Sequence, residues 1–400
     1  MVLKEYGSVE VSGPLEPLAE GFARELSKRG YSRLSAANQL RVFAFVSRWL
    51  EQAELGPEAL AAKEIAAILR ARRRAAYTCW VSARGLAPAL AYLRKIGASP
   101  QPHQPRANWR TRLIDRYADY LATERGLAPD TIARRVAVAR AFLSRRHRAR
   151  SVRSVRVGDL RRFFRHHVRG LSSPSAAIVA TALRSFLRFL HLVGEVDSSL
   201  VYAVPPIAGW RLARLPRDLC EQTVKRLLRS CNRRTMAGLR DYAILMLLVR
   251  LGLRRCEVAR LTLEDVDWRG GDLVIRGKGR SIARLPLPAD VGSALAAYAK
   301  RRGSSPSRAL FLRARAPVGA LGAPAVGAIV QNAARRAGVE GASAHRLRHT
   351  VATQMLRNGG TLAEIAEVLR HKSTVTTAIY AKVDRAALRE LAQPWPEGAV

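Results

Sequence analysis

Cysteine is scarce in this chain, and so is negative charge. The four cysteines, Cys79, Cys220, Cys231 and Cys256, stand far apart and form no CxxC pair. That spacing argues against a zinc site and against a disulfide framework, and suits isolated thiols in a reducing cytoplasm. Asp and Glu number 31 against 69 Lys and Arg. Lysine is itself rare, nine residues against sixty arginines. Long apolar runs are missing too: none approaches the ~20 residues that span a bilayer, and the longest, residues 242–253, is interrupted by Arg250. The opening residues MVLKEYGSVE lack the basic-then-apolar pattern of a signal peptide. The expectation is a soluble protein with no membrane partner.

What is present in excess is positive charge. Abundant Arg and Ala fit a GC-rich genome, but codon bias does not remove acids. A net charge of +38 raises self-repulsion unless a polyanion neutralises it. Nucleic acid is therefore the expected partner, with RNA binding as one alternative. A membrane surface fits less well, because no segment pairs a basic face with a strongly apolar one.

At 400 residues, with 48% apolar, the chain has room for two or three cores. Two proline-rich breaks divide it, at residues 99–106 and 205–216. The reading is a helical domain over residues 1–98, a second over 107–204, and a third domain over 217–400. The first two resemble each other. At an offset of 97, Phe45, Leu90, Tyr92, Leu93 and Gly97 match Phe142, Leu187, Phe189, Leu190 and Gly194. A duplicated bundle of about four short helices is the expectation. The second copy carries Arg145, Arg146, Arg148, Arg153, Arg156, Arg161, Arg162 and Arg165 with only Asp159 nearby. A phosphate-contacting surface explains that run better than a solvated helix face does.

The third domain reads as mainly α with one small antiparallel sheet. The spacing of Asp218 and Glu221 suggests a capping box, and an apolar helix follows over residues 241–249. Strands are expected at 272–276 and 283–287, joined by a Gly-Lys-Gly-Arg turn. Helices follow near 291–301 and 325–337. Thr361 and Glu364 form a further capping box.

Phosphoryl transfer needs cations for the non-bridging oxygens, a nucleophile, and an acid for the leaving alkoxide. Glu264, Asp265 and Asp267 have no partner cluster that would hold paired metals, so no metal site and no cofactor is expected. A cationic site has its parts here. Arg254 lies at the end of the apolar helix with Glu257 three residues on. A planar guanidinium grips two phosphate oxygens. Lys278 lies at the hairpin tip, and lysine can give up a proton where arginine cannot. His345 and Arg348 begin a helix whose N–H groups favour an anion, and Ser343 is placed to cap it. His349 lies in the same phrase and leaves the choice of histidine open. His371 and Tyr380 close the set. Each residue alone is more often a surface or packing residue.

Order and spacing together are specific. The phrases GLRRCEVARL, HRLRHTVAT and TTAIYAKVD, with Arg254, Glu257, Lys278, His345, Arg348, His371 and Tyr380 in sequence, resemble the catalytic domain of the tyrosine recombinase (phage integrase) family. The resemblance runs from about residue 218 to 384, and less sharply over 110–204, which resembles the family's helical core-binding domain. One departure is Arg370, where the family usually has Gly. The resemblance implies attack of Tyr380 on DNA to form a 3′-phosphotyrosyl link, with Lys278 as general acid. It implies Arg254 and Arg348 on the phosphate, His345 at the tyrosine proton and His371 hydrogen-bonded to phosphate. It also implies site-specific recombination of double-stranded DNA by a homotetramer through a Holliday junction, alone or with related recombinases. A bacterial, cytoplasmic, nucleoid-associated enzyme is the expectation. A type IB topoisomerase, a telomere resolvase or an inactive DNA-binding accessory protein are the alternatives. The apolar stripe Ala387, Leu388, Leu391 and Trp395 suggests a tail that docks on a neighbouring protomer.

Overall fold

The structure, a computed structural model, describes residues 2–102, 108–145, 151–207, 218–277, 281–303 and 305–370, with Thr377 and Tyr380. Lys278, His371, Arg146, Arg148 and the C-terminal stripe lie outside the described residues. The chain divides into two compact units, one drawn from residues 102–213 and the other from 1–101 and 214–400 together. The N-terminal bundle, set apart as its own domain in the sequence, is thus grouped with the C-terminal residues. The Val318 N–H donates to the Arg29 carbonyl at 2.9 Å, one link between them.

A two-stranded ribbon, β1 (Val2–Leu3) and β2 (Val9–Glu10), precedes four helices: α1 (Ala19–Lys28), α2 (Arg33–Gln52), α3 (Ala62–Arg74) and α4 (Ala83–Lys95). Their apolar faces meet in a core built around Phe22, Phe43 and Leu93. The second unit repeats the plan with α5 (Trp109–Thr123), α6 (Pro129–Ser144), α7 (Val157–Val168) and α8 (Ser173–Leu192), followed by the short α9 (Ser199–Tyr202). Here Tyr117, Phe142, Phe163 and Phe186 fill the core. By length and composition α8 could cross a membrane, but 56% of that stretch is buried, as befits the central helix of a bundle.

The 97-residue offset reaches the hydrogen bonds. Gly97 and Gly194 both adopt left-handed φ, 75° and 71°, which a glycine tolerates and a side chain resists. Ala98 N–H bonds to the Leu93 carbonyl at 2.9 Å, and Glu195 N–H to the Leu190 carbonyl at 2.8 Å. Both fourth helices therefore end in the same Schellman pattern. The expected matches Leu90–Leu187 and Tyr92–Phe189 are buried in both bundles.

The C-terminal residues form α10 (Glu221–Arg229), α11 (Met236–Arg250), α12 (Arg255–Arg260), then β3 (Val266–Asp267), β4 (Asp272–Arg276) and β5 (Ile282–Pro286). After these come α13 (Ala289–Arg301), α14 (Ala323–Arg336), α15 (Ala344–Arg357) and α16 (Leu362–Val368). The sheet order is β3-β4-β5, antiparallel throughout, with Arg276 opposite Ile282 and Asp272 opposite Pro286. Leu273 and Ile275 point into the core on alternate positions of β4. The Gly277 N–H donates to the Ser281 carbonyl at 2.8 Å and closes the described part of the ladder. The nearly all-apolar α11 supplies Ile244, Leu245, Leu247 and Leu248, all fully buried, to the core.

Two expectations need correction. The helix after residue 218 starts at Glu221 with Cys220 as its cap, so Asp218 and Glu221 form no capping box. Asp218 instead pairs with Arg357 at 2.9 Å, and Glu221 pairs with Lys225 one turn on at 2.7 Å. The arginine run of the second bundle also has more acid beside it than its sequence suggests. Glu195, 42 residues away, reaches Arg153 at 3.1 Å. Arg145, Arg156, Arg161, Arg162 and Arg165 are exposed.

Candidate active site

The site begins where α11 stops. Gly252 follows with φ +57°, a left-handed backbone that glycine adopts without strain, and its Cα packs close to the Leu369 side chain. The chain turns through it to Arg254, which precedes the first turn of α12. Glu257, three residues on, accepts from the Arg254 backbone N–H at 2.8 Å and from Arg254 Nη1 at 2.7 Å. One carboxylate therefore caps the helix and fixes the guanidinium.

Glu257 is almost wholly buried, and it serves a second cation. Arg370 Nη2 donates to its Oε2 at 2.9 Å. Burial by itself would raise the Glu257 carboxyl. The Arg254 N–H bond and the charges of Arg370 and Arg254 outweigh it and hold the group below the usual range. Arg370, with φ +55°, occupies the left-handed region that glycine favours. That backbone costs about 1–2 kcal/mol. The Arg370 side chain of this strained turn is held by Glu257 on one side and by its own Nη1 bond to the Val368 carbonyl at 2.9 Å on the other. The Arg370 carbonyl in turn accepts from Arg254 Nη2 at 3.1 Å.

Arg348 lies one turn into α15, whose first turn is capped by Ser343 accepting from the Arg346 N–H at 3.2 Å. It is 4% exposed. Nη1 donates to the Gly252 carbonyl at 2.6 Å and Nη2 to the Leu369 carbonyl. A guanidinium has five N–H donors, so donors remain for a ligand. Burial first, then the Arg254 charge, pushes Arg348 down to about 10, which leaves it charged at neutral pH. Three guanidinium groups around one carboxylate leave a net positive site. Arg254, Arg348 and His345 together line a cavity of about 400 Å³.

The histidines separate into two roles. His345 lines the cavity; desolvation, then Arg348 and Arg254, lowers its pKa. His349, one turn further along α15, accepts or donates at Tyr380: its Nδ1 lies 2.7 Å from Tyr380 Oη. His349 Nε2 lies 3.0 Å from His345 Nε2. The sequence reading put His345 at the tyrosine proton. The structure inserts His349 between them, because residues four apart share a helix face and the later one is nearer Tyr380. With both rings neutral, the chain can run from the Tyr380 hydroxyl to His349 Nδ1, and from His349 Nε2–H to His345 Nε2. Burial, then His345 and Arg348, pushes His349 down to about 4. Tyr380 is 2% exposed and packs against Val351, Ala352, Ile365 and Leu369. Burial raises its hydroxyl to about 12 despite the Arg348 charge, so it needs a proton acceptor.

Glu264 pairs with Arg308, and Asp265 with Arg276 and the Thr262 cap. Asp267 caps the Gly270 turn at 2.8 Å. All three acids thus serve the local structure.

The arrangement is a buried tyrosine hydrogen-bonded to a histidine, which a second histidine links to a cavity lined by two arginines, a net positive site suited to an anion. The phage integrase family model matches residues 217–387, and the phage integrase N-terminal SAM-like domain matches residues 114–193. A Sinorhizobium fredii protein named as an integrase/recombinase, y4rA, is 40% identical over 396 residues, covering 96% of this chain and 95% of that one. Tyrosine recombinase XerD of Mycobacterium leprae is 34% identical over 306 residues, covering 69% of this chain and 93% of its own. Among solved structures, XerH recombinase bound to a palindromic difH substrate in a post-cleavage complex aligns with TM-score 0.54. Its identity is 20%, over 83% of this chain and 95% of that chain, a likeness of fold. The chain belongs to the tyrosine recombinase (phage integrase) family and is a tyrosine-type site-specific recombinase.

Proposed function

We propose that this enzyme cuts and rejoins double-stranded DNA at recombination sites with Tyr380 as nucleophile. The observation that carries the reading is the linked set of Tyr380, His349 and His345 ending at a cavity that Arg254 and Arg348 line. Tyr380 Oη attacks the phosphorus, its proton passing toward His349. Arg254 and Arg348 balance the negative charge that gathers on the non-bridging oxygens. The bond to the 5′-oxygen breaks, Lys278 protonates that oxygen, and the 3′-phosphate stays on the tyrosine. His371 hydrogen-bonds the same phosphate. The ester keeps the energy of the broken bond, so a partner strand's 5′-hydroxyl reverses the step without ATP.

The bundle over residues 107–204, through Arg145, Arg146, Arg148, Arg153, Arg156, Arg161, Arg162 and Arg165, grips the duplex backbone. Strand exchange needs four protomers on two sites. λ integrase was solved as a tetramer on a Holliday junction, and it aligns with this chain at TM-score 0.52 and 16% identity, over 78% of this chain and 88% of that one. The enzyme works in the bacterial cytoplasm, on nucleoid DNA.

The test is a pair of plasmids, with one and with two copies of the target site. Recombinant products that need two sites are expected. Relaxation of the single-site plasmid with no recombinant product from the pair would make the enzyme a topoisomerase instead.

A further inference from the structure

The N-terminal bundle holds a cavity of its own. It measures about 560 Å³ and lies between α2, the loop joining α3 to α4, and the turn of the β1–β2 ribbon. Its wall is unusual in three independent ways. Five non-glycine residues among those described have left-handed φ, and three of them, Ser8, Ala76 and Trp80, line this one cavity. Such strain persists only where the surroundings enforce it, and it gathers at ligand sites. Gly85 helps to enforce it: a Cβ there would lie 2.7 Å from Trp80 Cα, so glycine alone lets α4 back the strained loop.

The second feature is Arg72. It is 3% exposed, sits 4.8 Å from the Phe45 ring centre and 4.2 Å from that of Tyr77, and its Nε has no hydrogen-bond partner. Its guanidinium lies over both rings and its Nη2 donates to the Cys79 carbonyl at 3.4 Å, so it fixes Tyr77 and the strained loop that follows. The third is the rim. Tyr77 and Trp80 are large aromatic rings left 44% and 37% exposed, and the exposed Arg41 and Arg48 stand on α2 in the same wall. No described ion pair engages either arginine.

Arginines interleaved with exposed aromatic rings bind single-stranded nucleic acid: the rings stack on bases and the cations hold phosphates. The volume suits one nucleotide and is too small for a duplex. A protein partner would be acidic, but residues 1–101 carry fifteen Lys and Arg against nine Glu and no Asp, a bias milder than the rest of the chain. The aromatic rim, rather than bulk charge, is what distinguishes the pocket. We infer that this cavity takes one unpaired nucleotide of single-stranded DNA, its base against Tyr77 and Trp80 and its phosphate on Arg41 and Arg48. The inference rests on the reading of the chain as an enzyme that exchanges, and so unpairs, DNA strands. It adds a contact outside the residues matched by the two family models, which begin at residue 114.

The probe is a short oligothymidylate carrying 5-bromodeoxyuridine, bound to the full-length protein in saturating core-site duplex and crosslinked by light. Crosslinks should map to the segment holding Tyr77 and Trp80. Trp80→Gly keeps the left-handed backbone and removes the ring; Arg48→Ala removes an exposed cation. Each should weaken oligothymidylate binding by about fivefold or more, as loss of one stacked base or one phosphate contact does. Each should leave the covalent adduct on a nicked core duplex at wild-type yield. Crosslinks confined to other segments, or unchanged affinity in both variants, would overturn the inference. So would a loss confined to protomer association, which would make the cavity a protein contact. Failure of the wild-type protein to form the adduct would instead strike at the role of Tyr380.

Discussion

Two guanidinium groups share the Glu257 carboxylate, Arg254 Nη1 on Oε1 and Arg370 Nη2 on Oε2, and the Arg370 carbonyl holds Arg254 Nη2 as well. Arg370 is the one not expected from the family pattern, and it keeps a strained backbone to reach Glu257. Arg370→Gly relieves about 1–2 kcal/mol of strain and gives up part of a buried pair worth about 3–5 kcal/mol. A net loss of about 1–3 kcal/mol is expected, measured by urea unfolding. Cleavage of a nicked duplex should fall by about tenfold or more, because a small misplacement of Arg254 is costly. Arg370→Lys should recover part of the rate; no change in rate for Arg370→Gly would remove Arg370 from the site. His349 gives a second residue-scale expectation, in pH. Its folded pKa, about 4, lies below the ordinary value of 6.5 for histidine. Between those values the unfolded chain binds the extra proton, so stability falls as pH drops from 6.5 toward 4 and is flat above. Thermal melts at pH 7 and pH 5 should differ more for the wild-type protein than for His349→Gln. An equal drop in both would assign the acid sensitivity elsewhere. Sequence alone could not choose between His345 and His349: the choice depends on where Tyr380 lies, 31 residues beyond His349, and no local spacing reports that.

At the scale of elements, the helices and the hairpin were legible because their signals are local. Thr361 and Glu364 cap α16 as their spacing suggests, at 2.7 Å and 3.2 Å. The strand expected at 272–276 is β4 to the residue. What was not legible depends on distant partners. β3 has two residues and exists through its pairing with β4. Asp218 leaves its capping spacing for Arg357, 139 positions on. Glu195 reaches Arg153 only because the bundle folds α8 back toward the loop before α7. The β4–β5 hairpin carries the next expectation. Its ladder closes at Gly277 and Ser281, the described residues on either side of the segment that contains Lys278 in sequence. Lys278→Ala should slow cleavage strongly on an ordinary substrate. On one with a bridging 5′-sulfur, which leaves without protonation, most of the rate should return. Equal defects on both substrates would make Lys278 a phosphate ligand rather than the acid.

Across the whole molecule, the two bundles share a helix plan and a helix ending, yet differ in surface. One presents exposed arginines along α7 and the loop before it; the other has an aromatic and arginine cavity. The repeat was visible as five matched apolar and glycine positions. The cavity was not, because Tyr77, Trp80 and Arg72 are brought to Arg41 and Ser8 by the fold. Everything proposed for the enzyme depends on one bond, between Tyr380 Oη and a DNA 3′-phosphate. The measurement that tests it is to trap the protein on a nicked duplex whose cut end diffuses away, digest it, and locate the modified peptide by mass spectrometry. A nucleotide on Tyr380 through its 3′-phosphate is the expected result, with no adduct from Tyr380→Phe and near-normal DNA binding. A nucleotide on any other side chain, or an undiminished adduct from Tyr380→Phe, would contradict it.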